Sequence, residues 1–225
     1  MTDNYKITVK TSKRKTASIY IERDGSLSVL VPERLNKAQI DEMLKANEYK
    51  ICKYQARRML LNEKAVRREP VNGQSFLYLG RNYYLQYDDK VNGIKMHGRH
   101  FLAPNQFRAR LQHYFREFYR NKGKEFLTPR VHNYAEIMGV CPKDVSILDL
   151  KNRWASCSTK KPKVNFHWKI MMAPVSAIEY IIVHELAHLK HKRHNVQFWD
   201  VVDKAMPGYY KQVEWLKQFG ASLTV

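Results

Sequence analysis

Tyr180-Ile-Ile-Val-His-Glu-Leu-Ala-His-Leu-Lys-His-Lys-Arg-His194 decides how this 225-residue chain is read. Within it, His184-Glu185-Leu186-Ala187-His188 is an H-E-x-x-H pattern. The two histidines stand four apart. On a helix that spacing puts both imidazoles on one face, about a turn from each other, where two ring nitrogens can share one ion. Glu185 follows His184 and can aim its carboxylate at a water on that ion. The helix is legible from its other side. Ile178, Ile181, Ile182, Leu186 and Leu189 recur in steps of three and four, as a core-facing stripe does. Pro174 stands where a helix start tolerates it, and Ser176 is the candidate N-cap.

Zinc sites with an open position take three protein ligands and a water, so one further ligand is required. His191 shares the stripe but lies about 10 Å along the axis from His184, too far for a straight helix to bring both to one metal. His194 reaches the metal if the helix ends and the chain folds back, although no Gly or Pro between His188 and His194 marks that turn. The expected zinc ligands are therefore His184, His188 and His194. Glu185 is the expected general base, and His191 a surface or supporting residue.

Composition narrows the setting. No apolar run approaches the roughly 18 residues of a membrane span. Met1-Thr-Asp-Asn-Tyr-Lys6 has no apolar signal segment. Cys52, Cys141 and Cys157 are too few and too scattered for a disulfide framework or a C-x-x-C zinc site, which points to a reducing cytoplasm. Forty Lys and Arg against 21 Asp and Glu give a net charge of +19, a field that attracts nucleic acid, nucleotides or acidic proteins. The cations are spread along the chain, which equally suits a basic protein with no dedicated anion partner.

The chain order predicts an α+β fold. Tyr5–Lys10 and a hairpin of Ile19, Ile21, Leu27, Val29 and Val31 around Asp24-Gly25 open it. Asn36 caps one long or two shorter helices reaching about Glu69, with Ile40, Met43, Leu44, Ile51, Tyr54, Met59 and Leu60 as the apolar face and Cys52 in the core. Short strands near 76–79, 83–87, 94–96 and 101–102 suggest a small antiparallel sheet that pairs with the hairpin. Phe107, Leu111, Tyr114, Phe115 and Phe118 then mark a helix whose aromatic row reads as core rather than as a base-stacking surface. Gly123 and Pro129 interrupt it, and His113 and His132 need no metal there. Val145–Leu150 reads as a strand, Lys151–Ser158 as a polar turn, and Val164–Ile170 as a second strand able to hold an extended peptide by edge pairing. Another amphipathic helix carries Val196, Phe198, Trp199, Val202 and Ala205; Pro207-Gly208 breaks it, and Tyr210–Phe219 makes a last short one. The expected division is 1–103, an N-terminal region of antiparallel strands with long helices, and 104–225, a catalytic region, or one continuous domain.

Arg153-Trp154-Ala-Ser-Cys-Ser158, Asn165-Phe-His-Trp168, Ala173-Pro174, Tyr180, Val183–Leu189 and His194 with Phe198-Trp199 closely resemble the YgjP-like metallopeptidase family, related to SprT-like proteins. The close match runs from about Val145 to Leu216. Ala155 departs from the family's usual Gly, and Asn195 from its usual Ser. The resemblance implies a zincin-like core with an active-site helix, zinc on His184, His188 and His194, and Glu185 acting on the water. Arg153, Ser156 and Asn165, in the matched motifs, are the candidate substrate contacts. SprT-like relatives cleave proteins attached to DNA, and some YgjP-like members are described as nucleoside triphosphate pyrophosphatases.

The first expectation is thus a zinc-dependent metallopeptidase acting on a peptide or protein. The second keeps the site and changes the substrate to a nucleoside triphosphate, although no G-x-x-x-x-G-K-[ST] loop supports it. The third is a basic nucleic-acid-binding module with structural zinc. Such zinc is usually closed by four ligands and often by Cys, and Glu185 would then have no role. A nucleophilic Ser156 or Cys157 is disfavoured, because no His is near them in sequence.

Overall fold

A computed structural model describes residues 7–22, 26–63, 68–150 and 153–225, with backbone alone for 57–63. The α+β expectation holds: the described residues form six α-helices and three small sheets. The chain divides into two compact units, Met1–Ala65 and Val66–Val225.

In the first unit, β1 (Ile7–Ser12), β2 (Ser18–Ile21) and β3 (Leu27–Pro32) form a sheet in the order β1-β3-β2. β2 and β3 are the expected antiparallel hairpin, but β1 runs parallel to β3. The Asp24-Gly25 turn lies outside the described residues. Alternation in β3 buries Leu27, Val29 and Val31 against Ile40 of α1 (Lys37–Ala46). Asn36 caps α1 in a full capping box, its side chain accepting from the Gln39 N–H while Gln39 accepts from the Asn36 N–H. Asn47 ends α1, and α2 (Glu48–Glu63) follows, so the long apolar stretch is two helices. Cys52 is exposed on α2, not core. The Met59 and Leu60 side chains lie outside the described residues.

The second unit holds the H-E-x-x-H segment. Strands β4 (Ser75–Tyr78), β5 (Arg81–Tyr87), β6 (Lys95–His97) and β7 (His100–Ala103) make a separate four-stranded sheet, order β4-β5-β7-β6, and do not extend the N-terminal hairpin. It is mixed rather than antiparallel, because β5 and β7 are parallel. Leu79 and Gly80 both take positive φ (49° and 77°) in the two-residue β4–β5 turn. Their N–H groups donate to Met171 and Met172 carbonyls, and a Cβ on Gly80 would come within 2.9 Å of the Pro174 backbone. This docking ties the sheet to the segment that leads into the H-E-x-x-H helix, within the unit Val66–Val225.

Helix α3 (Leu111–Met138) runs 28 residues through Gly123 and Pro129 without a break. Gly123 is buried, and a Cβ there would already touch Ile147 and Met171, so close packing outweighs its poor helix propensity. Of the aromatic row, Leu111 and Phe115 are buried and Phe118 packs on the core, whereas Phe107 and Tyr114 are half-buried and stack on each other. One turn on from Phe115, Tyr119 is fully buried and its hydroxyl donates to the Leu77 carbonyl at 2.6 Å. Against α3 lies β8 (Asp144–Leu148), which forms a sheet with β9 (Ala155–Ser158) and β10 (Lys163–His167) in the order β8-β10-β9. A 3-10 turn (Trp168–Met172) leads into α4 (Val175–Ala187), followed by α5 (Val196–Ala205) and α6 (Tyr210–Phe219). Among the described residues no helix is long and apolar enough to cross a membrane.

Two strand expectations change here. The segment read as a polar turn contains β9. The strand expected to offer a free edge, β10, is central, paired in parallel with β8 and antiparallel with β9. Alternation reveals which side chains face the core but not whether a strand is central or at an edge.

Candidate metal centre

Helix α4 is apolar nearly all round, with Ile178, Ile181, Ile182, Val183, Leu186 and Ala187 buried. Pro174 occupies the N-cap position and Ser176 donates to Gln212 instead of capping, so the start is set by Pro174. His184 and His188 project from one side of this fixed rod, ring centroids 5.1 Å apart. The helix ends at His188, and the chain turns through residues 188–195. Asn195 caps α5, its side chain accepting from the Phe198 N–H at 3.0 Å. Asn and Ser are both favourable N-caps, so the departure at Asn195 preserves the local chemistry. Ala155 likewise sits in ordinary extended β9, where no glycine is required.

The turn brings His194 back over the helix. One ring nitrogen from each of His184, His188 and His194 lies within 4.8 Å of the others, and His194 Nε2 stands 3.1 Å from His184 Nε2. Ligands on one tetrahedral zinc, at about 2.0–2.1 Å each, stand roughly 3.3 Å apart, close to the His184–His194 separation, so the cluster can hold a metal ion. The far ring nitrogens have partners. His188 Nδ1 lies 3.2 Å from the His191 carbonyl, and His184 Nδ1 lies 3.3 Å from the Tyr180 hydroxyl. With the protons on Nδ1, the Nε2 lone pairs of both rings are free for a metal. His191 therefore contributes its backbone carbonyl rather than its ring. Phe198, fully buried, packs beneath all three histidines at centroid distances of 4.7–5.0 Å.

Electrostatics favours neutral rings. Burial, helped by His188 and His194, pushes His184 down to about 3, and burial likewise lowers His188 against the pull of the His191 carbonyl. A neutral imidazole is the metal-binding form. Glu185 is buried on the same turn of α4, and burial raises its carboxyl to about 7 despite the opposing Arg153 charge and a hydrogen bond from the Cys157 backbone N–H.

That last bond follows from strand register. Antiparallel hydrogen bonds alternate along a pair. The His167 N–H donates to the Trp154 carbonyl, so Trp154, Ser156 and Ser158 direct their backbone groups toward β10. Ala155 and Cys157 therefore turn theirs outward, and Cys157 meets Glu185. The candidate substrate residues separate by the same alternation. Arg153 lies within electrostatic reach of Glu185. Ser156 and Asn165 project from the sheet face opposite Cys157 and bond to each other, Asn165 Nδ2 donating to Ser156 Oγ at 3.3 Å. The Cys157 thiol is pushed up to about 11 by burial, which keeps it protonated and unsuited to nucleophilic attack.

A family model described as the YgjP-like metallopeptidase domain matches residues 15–219. The chain belongs to the YgjP-like metallopeptidase family. Its family supports a metal-dependent hydrolase acting on peptides, and the histidine cluster can hold the metal. Among solved structures, the metallopeptidase zymogen of Pyrococcus abyssi abylysin is 27% identical over 39% of this YgjP-like chain and 89% of that chain, with a TM-score of 0.37. No curated protein matches. Sequence reasoning assigned no role to Tyr180, Phe198, Trp199 or Tyr209 around the histidines. Tyr180 was within reach of a spacing rule, standing four residues before His184 on one helix face.

Proposed function

We propose that this chain is a zinc-dependent peptidase with a zincin-like core. His184, His188 and His194 hold the zinc, and Glu185 is the general base and acid. The convergence of three ring nitrogens beside a buried carboxylate carries this reading. Bound zinc would supply an acidified water and polarise the scissile carbonyl. Glu185, poised near neutrality, takes the proton from the attacking water and returns it to the leaving amine. The Cys157 N–H holds one lone pair of the carboxylate, which fixes its direction. Arg153 favours the ionised form that accepts the proton. Peptide pairing moves from β10 to β9. The outward groups of Ala155 and the Cys157 carbonyl offer an edge to an extended backbone beside Glu185.

One observation favours a nucleoside triphosphate as the alternative substrate. The β9–β10 stretch, residues 153–169, carries Arg153, Lys160, Lys161, Lys163 and Lys169 without an acidic residue. The turn and start of α5, residues 186–199, likewise carry only Lys190, Lys192 and Arg193. Product analysis on one zinc-loaded preparation, offered mixed peptides and nucleotides with Glu185→Gln as control, separates the two. Peptide bonds cut by wild type and not by Glu185→Gln are expected. Pyrophosphate release without peptide cleavage would replace the peptidase reading.

A further inference from the structure

The turn that delivers His194 has no Gly or Pro, and His194 itself is exposed. Among the described residues its hydrogen-bonding contact is the one with His184. Neither backbone chemistry nor burial accounts for a ring aimed so closely at a second imidazole.

Aromatic packing does. The Trp199 ring lies nearly parallel to His194, centroids 5.7 Å apart at 26°, and meets the edge of His184 at 5.9 Å. Tyr209 stacks on Trp199 at 5.4 Å and 9°, and Tyr180 stacks on Tyr209 at 6.0 Å and 9°. Tyr180 then meets His184 edge-on at 5.8 Å, with its hydroxyl at Nδ1. The path leaves one histidine and returns to another through three rings. One ring comes from α4, one from α5, and one from the turn after Pro207-Gly208, where Gly208 takes φ +75°.

We propose that Trp199, Tyr209 and Tyr180 form a positioning stack that places His194, so that the third ligand is set by three rings rather than by its own loop. The proposal rests on the reading of these histidines as zinc ligands. Trp199 fixes the plane of the His194 ring and hence the direction of Nε2. Tyr209 stops Trp199 from swinging away. Tyr180 anchors the far end on the rigid helix, and its hydroxyl oxygen accepts a hydrogen bond from the His184 Nδ1–H, which leaves the His184 Nε2 lone pair facing His194. None of the three touches the water or the scissile bond; they act through the ligands.

Removing a group that orients a metal ligand typically costs about 10–100-fold in affinity. The test is zinc affinity of the full chain by competition with a chromophoric chelator, with the visible spectrum of the cobalt-loaded protein as a second readout. Trp199→Ala should weaken zinc binding 10–100-fold, by no more than His194→Ala does, and shift the cobalt bands toward a lower-ligand site. Trp199→Phe, which keeps a ring face, should restore most of the affinity and the wild-type spectrum. Tyr209→Leu, remote from the histidines, should give a smaller loss in the same direction. Should Trp199→Ala fail to fold, the Phe and Leu variants carry the comparison. Wild-type protein that binds no zinc overturns both this proposal and the proposed function. Tight wild-type binding with unchanged affinity and spectrum in Trp199→Ala, or in Tyr209→Leu where that alone folds, overturns the stack and leaves the function standing. A Trp199→Phe protein as impaired as Trp199→Ala also overturns it, since ring stacking would then not be the cause.

Discussion

His184 and His188 stand on a buried helix, whereas His194 stands on an exposed turn, yet all three direct a nitrogen to one point. The helix places its pair by periodicity, a local rule that needs only regular backbone and an apolar back face. The turn carries its histidine against near neighbours, Phe198 beneath and Trp199 beside it, and Trp199 in turn rests on Tyr209 and Tyr180 from other parts of the chain. Local rules leave a readable mark in sequence. Long-range packing leaves one only after the fold is known.

The sharpest way to break this contrast is to remove ligands from each side. His184→Ala or His188→Ala should abolish tight zinc binding, because two imidazoles hold zinc poorly. His194→Ala should do the same, while His191→Ala keeps most of its metal, since the carbonyl rather than the ring supports His188. Zinc-to-protein ratios by elemental analysis check all four variants. Full zinc in His194→Ala beside loss in His191→Ala would reassign the third ligand and undo the account of the turn.

The next effect separates holding a metal from using it. Glu185→Gln should bind zinc and fold normally while kcat for peptide hydrolysis drops by about 10²–10⁴-fold, the usual worth of general acid–base catalysis. The loss should fall on kcat more than KM, because the interaction is made during proton transfer. A variant with full zinc and near-normal turnover would remove Glu185 from the mechanism.

How much was legible follows the same division. The H-E-x-x-H helix, its apolar face, the capping box at Asn36 and the family motifs are local patterns. The unbroken α3 was not legible, because the packing of Gly123 against Ile147 and Met171 overrides a propensity that signals a stop. The central place of β10 was also hidden, since alternation within a strand carries no information about its neighbours. The exposure of Cys52 follows from the face of α2 it occupies, and an isolated cysteine does not mark that face.

A third measurement asks how firmly the turn is capped. Asn195→Ala removes the acceptor for the Phe198 N–H and should cost about 1 kcal/mol of stability, within the roughly 0.5–2 kcal/mol range of N-cap losses. Asn195→Ser should be close to neutral, because Ser caps as well. Urea unfolding of the metal-free proteins reads both. Equal loss in Ala and Ser would mean that Asn195 acts through something other than the cap, its bond to Gln197 being the alternative.

The smallest effect concerns the regular side of the contrast, where side-chain ties should matter least. Lys163 Nζ donates to Asp144 Oδ2 at 2.7 Å between β10 and β8, whose backbones already pair along their length. The bond to Lys163, aided by Ser146 and Lys124, holds the Asp144 carboxyl below its ordinary value of 3.8. A carboxyl lowered by folding stabilises the native state at pH above its unfolded value, and the contribution fades as pH falls through the folded value. Metal-free wild type should therefore exceed Asp144→Asn slightly in Tm at pH 5–7, and the gap should close below about pH 3.8. The pair is solvent-exposed, so salt should shrink the gap even at neutral pH. A gap that widened toward acid would reverse the sign and exclude this pair as its source. A large, salt-independent gap would show that β10 leans on its side chains as heavily as His194 leans on its rings, and the contrast between periodic and packed placement would fail.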